Sequence, residues 1–174
     1  MKNIFTTLLI SLLVCSSGCA NKVVSKQKIE AEEMDYTIYE IEEKPDYSDG
    51  KGLMINKETN AFKTGTADYT FTGQEGTYNI DITYVDEEEP LAPVDKRYSK
   101  YTLEIIRGGS VLKTDTWIAN KLLGFHSISK NTLTVRHITG VALKPDDIIR
   151  IKGTATGGEH AEHARLDYMV ITPE

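Results

Sequence analysis

"GTYNIDITYVD", residues 76–86, decides how the rest of this chain is read. Tyr78, Ile80, Ile82 and Tyr84 alternate with Thr77, Asn79, Asp81 and Thr83. That period of two fits a half-buried strand and no helix. Working outward, runs rich in β-branched and aromatic residues recur at 36–42, 66–72, 101–107, 110–117, 132–139, 147–152 and 165–172. Turn residues separate them at Asp49-Gly50, Thr72-Gly73, Gly108-Gly109 and Lys144-Pro145-Asp146-Asp147. No stretch holds a sustained helical period and no long repeat is present, so the domain is expected to be all-β, a sandwich or barrel.

Two segments break this rhythm. "DEEEPLAPVDKRYSK", 86–100, carries two prolines that a central strand excludes, and "IANKLLGFHSISKN", 118–131, has no strand pattern. Both are expected to be long loops, where a rigid sandwich most often carries its binding residues.

The chain opens "MKNIFTTLLISLLVCSSGCANK", a lysine followed by an apolar run from Ile4 to Val14 and then small residues. Such a run is too short to span a membrane as a mature helix and reads as a secretory signal over 1–18. Ser16-Ser17-Gly18-Cys19 resembles a bacterial lipobox, in which cleavage before Cys19 frees its thiol to receive a lipid. The first position, usually leucine, is Ser16 here; plain secretory cleavage would need only the small residues and no cysteine. Residues 19–27 then form a lipidated cysteine and a short polar linker, and 28–174 form the domain. Ala20 after the cysteine is not the aspartate that marks inner-membrane retention in enteric bacteria, which suggests the outer membrane if the organism has one.

Cys15 and Cys19 both lie in this leading segment, so the domain has no disulfide and no zinc–thiolate site. The formal charge of −6 argues against nucleic acid or an anionic lipid surface as a partner, and leaves the lipid anchor as the expected tie to a membrane.

"GGEHAEHARLDYM", 157–169, concentrates His160, Glu162 and His163. The spacing is H-A-E-H, which matches neither H-E-x-x-H nor H-x-x-E-H, and on a strand the two histidines point to opposite faces. The stretch reads better as "GGEHARLDY" with the triplet "EHA" duplicated, lengthening the loop into the last strand. There is no G-x-S-x-G elbow, and the carboxylates of 86–89 cluster on one polar loop rather than facing one another. The expectation is a protein that is not an enzyme.

Four segments, "KIEAEEMDY" (28–36), "GTYNIDITYVDE" (76–87), "GVALKPDDIIRIKG" (140–153) and "ARLDYMVI" (164–171), in this order and spacing resemble carbohydrate-binding modules of families 6 and 35. The resemblance runs over most of 28–173. It implies a jelly-roll β-sandwich of the galactose-binding type with a polysaccharide or oligosaccharide as partner. It also implies a structural calcium ion between the first and last strands, held by Glu30 and Glu32, which would share one face of a strand, and by Asp167. Calcium takes six to eight oxygens, so carbonyls from residues 49–52 would complete the set.

A glycan site combines an exposed aromatic ring with polar side chains that meet hydroxyls. Trp117 is the only tryptophan; alternation groups it with Lys113 and Asp115, which admits a polar binding face, while a lone tryptophan is as often core. Tyr47, Phe125, His126, Arg136 and Glu159 are further candidates. Tyr98, beside Lys96, Arg97 and Lys100, could meet an acidic sugar or be ordinary strand-edge charge. Arg165 could reach ligand or neutralise carboxylates. The expected function is glycan capture in the bacterial cell envelope near separately encoded enzymes. The alternatives are an adhesion module for a protein or cell-wall partner, and a small glycan-active enzyme with two facing carboxylates.

Overall fold

A computed structural model describes residues 25–86, 98–119, 132–157 and 162–174. The strands in chain order are β1 (Gln27–Glu30), β2 (Asp35–Thr37), β3 (Glu40–Glu43), β4 (Lys51–Ile55), β5 (Thr64–Thr70), β6 (Gly76–Asp86), β7 (Lys100–Arg107), β8 (Ser110–Ile118), β9 (Thr132–Leu143), β10 (Ile148–Thr154) and β11 (Ala164–Pro173). A 3-10 turn occupies Ala31–Glu33 and a single helical turn, α1, Lys57–Asn60. The all-β sandwich expected from the sequence is what forms, as one domain.

Among the described residues one sheet has the order β3-β4-β11-β6-β9, with β1 continuing the flank of β11 beyond β4; the other has the order β2-β5-β10-β7-β8. Every pairing is antiparallel. Alternation along β6 turns Tyr78, Ile80, Ile82 and Tyr84 inward, as expected, against Tyr101, Leu103 and Ile105 of β7 and Ile149 and Ile151 of β10. These side chains are all but sealed from water and supply the hydrophobic term that holds the sheets together.

The run 36–42, read as one strand, is two. Ile38 adopts a left-handed backbone, φ +66°, which a β-branched residue takes only under constraint; there the chain leaves the second sheet after β2 and enters the first as β3. β1 and β4, four and five residues long, carry too few alternations to be seen in advance. Glu30 closes β1 and Glu32 stands in the 3-10 turn, so the two do not share a strand face as expected.

Registers fix two ends of the sandwich. The start of β1, the connections 71–75, 108–109 and 144–147, and Glu174 gather at one, here termed the turn end. The connection 56–63, and the strand ends that flank 87–97, 120–131 and 158–161, gather at the other, the loop end.

Candidate functional site

The calcium expectation concerns the flank where β1, the 3-10 turn and the loop 44–50 meet β11. A bulge between Leu166 and Tyr168 interrupts the β6–β11 ladder at Asp167, which is fully buried. The Ser48 N–H donates to Asp167 Oδ1 at 3.0 Å, and the Ser48 hydroxyl to Glu30 Oε2 at 2.6 Å. Lys28 pairs with the other Glu30 oxygen at 2.6 Å. Asp167 Oδ2 and Glu32 Oε2 are buried with no hydrogen-bond partner. Burial pushes the Glu32 carboxyl up, and Glu30, Asp49 and Asp167 push it further, against a lowering backbone hydrogen bond. Burial likewise raises Asp167, with Glu30 adding and the Ser48 bonds opposing.

Among the described residues no three His, Cys, Asp or Glu side chains converge closely enough to hold a metal ion. The chemistry nonetheless suits an oxygen-seeking cation: oxygen donors alone, two of them buried and unsatisfied, in a field of negative charge. Glu30, Glu32 and Asp167 are therefore brought together, along with Asp49, without forming a finished cage.

Among the described residues the expected aromatic platforms, Trp117 and Tyr47, lie inside the fold. Trp117 is 5 % exposed, stacked on Tyr101 with ring centroids 5.6 Å apart and tilted against Tyr84 at 6.0 Å. Its face of β8 is polar because β8 and β9 are the facing edges of the two sheets. Lys113, Asp115 and Arg136 close that open side, Arg136 lying 5.7 Å from the Trp117 ring and bonded to Asp115. Inward charge on an edge strand blunts pairing with other chains. Tyr47 is 4 % exposed; its ring covers Gly52, where any Cβ would collide, and its hydroxyl donates to Glu42 Oε2 at 2.7 Å. Arg165 grips the same Glu42 through Nε and Nη2 at 2.7 and 3.1 Å, so it neutralises a carboxylate. Tyr98 is buried as well. Phe125, His126, Glu159, Lys96, Arg97 and His160 lie outside the described residues.

The loop end presents an aromatic that the sequence reading passed over. Phe62, in the connection from β4 to β5, is 71 % exposed and holds φ +61°, a backbone state that few aromatic residues occupy. Its N–H donates to Ala155 O at 2.9 Å, and its ring edge occupies the space beside Gly157 where a Cβ would sit. Asn60 and Lys63 stand next to it, the ammonium bonding the Asn60 amide oxygen at 3.0 Å. His163 anchors α1 from below, its Nδ1 accepting the Lys57 N–H at 3.1 Å. Glu162 is buried and accepts the Ser99 N–H at 2.9 Å. A fixed, exposed ring with the amide of Asn60 and the ammonium of Lys63 beside it in the same connection can stack on a flat apolar face and bond hydroxyls.

The fold is similar to that of carbohydrate-binding modules. A family 35 carbohydrate-binding module from Clostridium thermocellum superposes with a TM-score of 0.52 at 17 % identity, covering 84 % of this chain and 98 % of the module. The C-terminal family 6 module of a marine laminarinase from Zobellia galactanivorans gives 0.52 at 15 % identity, covering 85 % and 99 %. A family 36 module of a multidomain xylanase from the hindgut metagenome of Trinervitermes trinervoides gives 0.51 at 13 %, covering 86 % and 98 %. No protein-family model and no curated protein matches the chain. At these identities the likeness to carbohydrate-binding modules is one of fold.

The signal that could have found Phe62 is local. In "NKETNAFKTG", 56–65, the one large apolar side chain sits among turn formers and lysines, outside any alternation, so nothing in the core requires it.

Proposed function

We propose that this chain binds glycan without cleaving it, at the loop end of its sandwich, as the domain of a lipid-anchored protein of the bacterial cell envelope. The observation that carries the reading is Phe62, an exposed ring held by backbone constraint and by Gly157. A fold shared with carbohydrate-binding modules supports it. Phe125, His126 and Glu159 belong to connections whose flanking strands end there, and would complete the site. Calcium, taken up by Glu32 and Asp167, would cancel buried negative charge and pin β1 to β11; its role is structural. Cys19 would carry the lipid, in the outer membrane where the organism has one, and the domain would gather polysaccharide near separately encoded enzymes. Many tethered copies would raise avidity above that of one site.

The test is a glycan-array screen of residues 28–174 beside the Phe62→Ala variant, with calcium present. Binding to a polysaccharide class, lost at least tenfold in the variant while its melting temperature holds, is the expected result. Absence of binding to every glycan would overturn the reading. It would promote a protein partner, which one observation favours: Tyr36, Ile38 and Ile41 are apolar and exposed where β2 and β3 border the other open side.

A further inference from the structure

We infer that the turn end of the sandwich faces the membrane and that the loop end is held away from it, so the glycan site opens outward. The inference rests on the lipid-anchor and loop-end readings above and adds the geometry that joins them.

β1 enters from the turn end. Gln27 pairs with Ile171, which pairs with Ile80, so Gln27 stands four residues, about 13 Å, from the start of β6 and six residues, about 20 Å, from its end at Asp86. The strand runs toward the loop end, so Ser25 and Lys26, which precede it, stand on its turn-end side. From Cys19 to Gln27 there are eight residue steps. They reach about 28 Å when fully extended, and as a flexible chain about 16 Å. To set the loop end on the bilayer this linker would have to reverse and run back about 20 Å along the domain, then past the connection 56–63. Nothing so taut is needed in the other pose, where the linker continues the direction of β1.

The turn end also carries paired charges. Glu75 pairs with Lys144 at 2.7 Å, and Arg107 with the buried Asp147 through two bonds of 2.7 Å. A shallow cavity of about 240 Å³ opens between these pairs. These two pairs put both signs on the face, beside the exposed carboxylates of Asp146 and Glu174 and the exposed ammonium of Lys26.

The experiment uses full-length lipidated protein in vesicles that carry an energy-transfer acceptor on a fraction of their headgroups. With Cys19 acylated, a single introduced cysteine is the only thiol to label: Thr72→Cys marks the turn end and Thr59→Cys the loop end, both exposed. Transfer from position 72 at least twofold above that from position 59, with soluble oligosaccharide bound as tightly as by the untethered domain, is expected. Equal transfer, as for a domain lying on its side, or stronger transfer from position 59, would overturn the orientation. A mature protein whose mass shows no lipid on Cys19 would overturn anchor and orientation together. Failure of glycan binding by the untethered domain would instead strike the loop-end reading and leave the transfer ratio standing.

Discussion

Arg136 of β9 reaches across the open side of the sandwich to one oxygen of Asp115 on β8, Nη2 at 2.7 Å and Nε at 3.0 Å. The pair joins edges of two sheets that share no backbone hydrogen bond, and the guanidinium roofs Trp117. Both side chains are about three-quarters or more buried, so solvent screens them only in part. Arg136→Ala should cost about 2 kcal/mol in urea unfolding, since it strands a carboxylate and uncovers the indole. Arg136→Lys should recover little of that, because an ammonium cannot span the carboxylate and cover the ring at once. Tryptophan emission should shift to the red in both variants.

Glu32 and Asp167 give the calcium proposal a pH signature. Their folded-state carboxyls are raised, so the cation-free fold binds protons more readily than the unfolded chain and gains stability as pH falls from neutral toward the ordinary carboxylate range. Added calcium should raise the melting temperature at pH 7 and lose that effect at acid pH. Glu32→Gln should stabilise the EDTA-treated protein and reduce its response to calcium; a melt indifferent to calcium and EDTA would remove the ion from the account.

His163 works in the opposite sense. Burial and Lys57 lower it, and its Nδ1 must stay unprotonated to accept the Lys57 N–H. The stability it contributes is complete above about pH 6.5, its ordinary value, and is lost as pH falls through the lowered folded one. The difference in unfolding free energy between wild type and His163→Gln, followed from pH 8 to pH 5, should shrink over that window. A constant difference would mean that the imidazole packs there without titrating.

Tyr39 is buried, and its hydroxyl has no hydrogen-bond partner. Its ring lies over Gly65 and its hydroxyl fills the place of a Cβ at Gly153. Tyr39→Phe should therefore raise stability by about 1 kcal/mol, by removing an unsatisfied buried oxygen. Gly153→Ala should destabilise by about 2 kcal/mol through overpacking, and by less when combined with Tyr39→Phe. Additive effects of the two substitutions in thermal or urea unfolding would refute the contact.

The sandwich was legible because β6 carries enough alternating positions for its period to stand out, and because glycine and proline punctuate the long strands. The metal-site candidates came only from the resemblance to carbohydrate-binding modules; the structure gathers Glu30, Glu32 and Asp167 on one flank, while the strand geometry assumed for Glu30 and Glu32 gave way to a 3-10 turn. Trp117 and Tyr47 misled for a common reason. Alternation reports which residues share a face, and β8 is an edge strand whose inward face is polar where the two sheets part. Tyr47 has acidic neighbours in sequence, yet the space above Gly52 takes its ring inside. Phe62 escaped because a position fixed by one loop's backbone leaves no period.

β11 holds the centre of its sheet, with β6 on one flank and β4 and β1 in succession on the other. It is also the last of these strands to be synthesised. Until it arrives, β1, the β3–β4 hairpin and the β6–β9 pair have no strand to join them, and every strand pairing β11 makes spans a long stretch of chain. Closure of this sheet must therefore wait until translation has passed residue 164, by which point every strand of the second sheet has already been made. The order of strands in the gene thus makes this sheet, rather than its partner, the last to close.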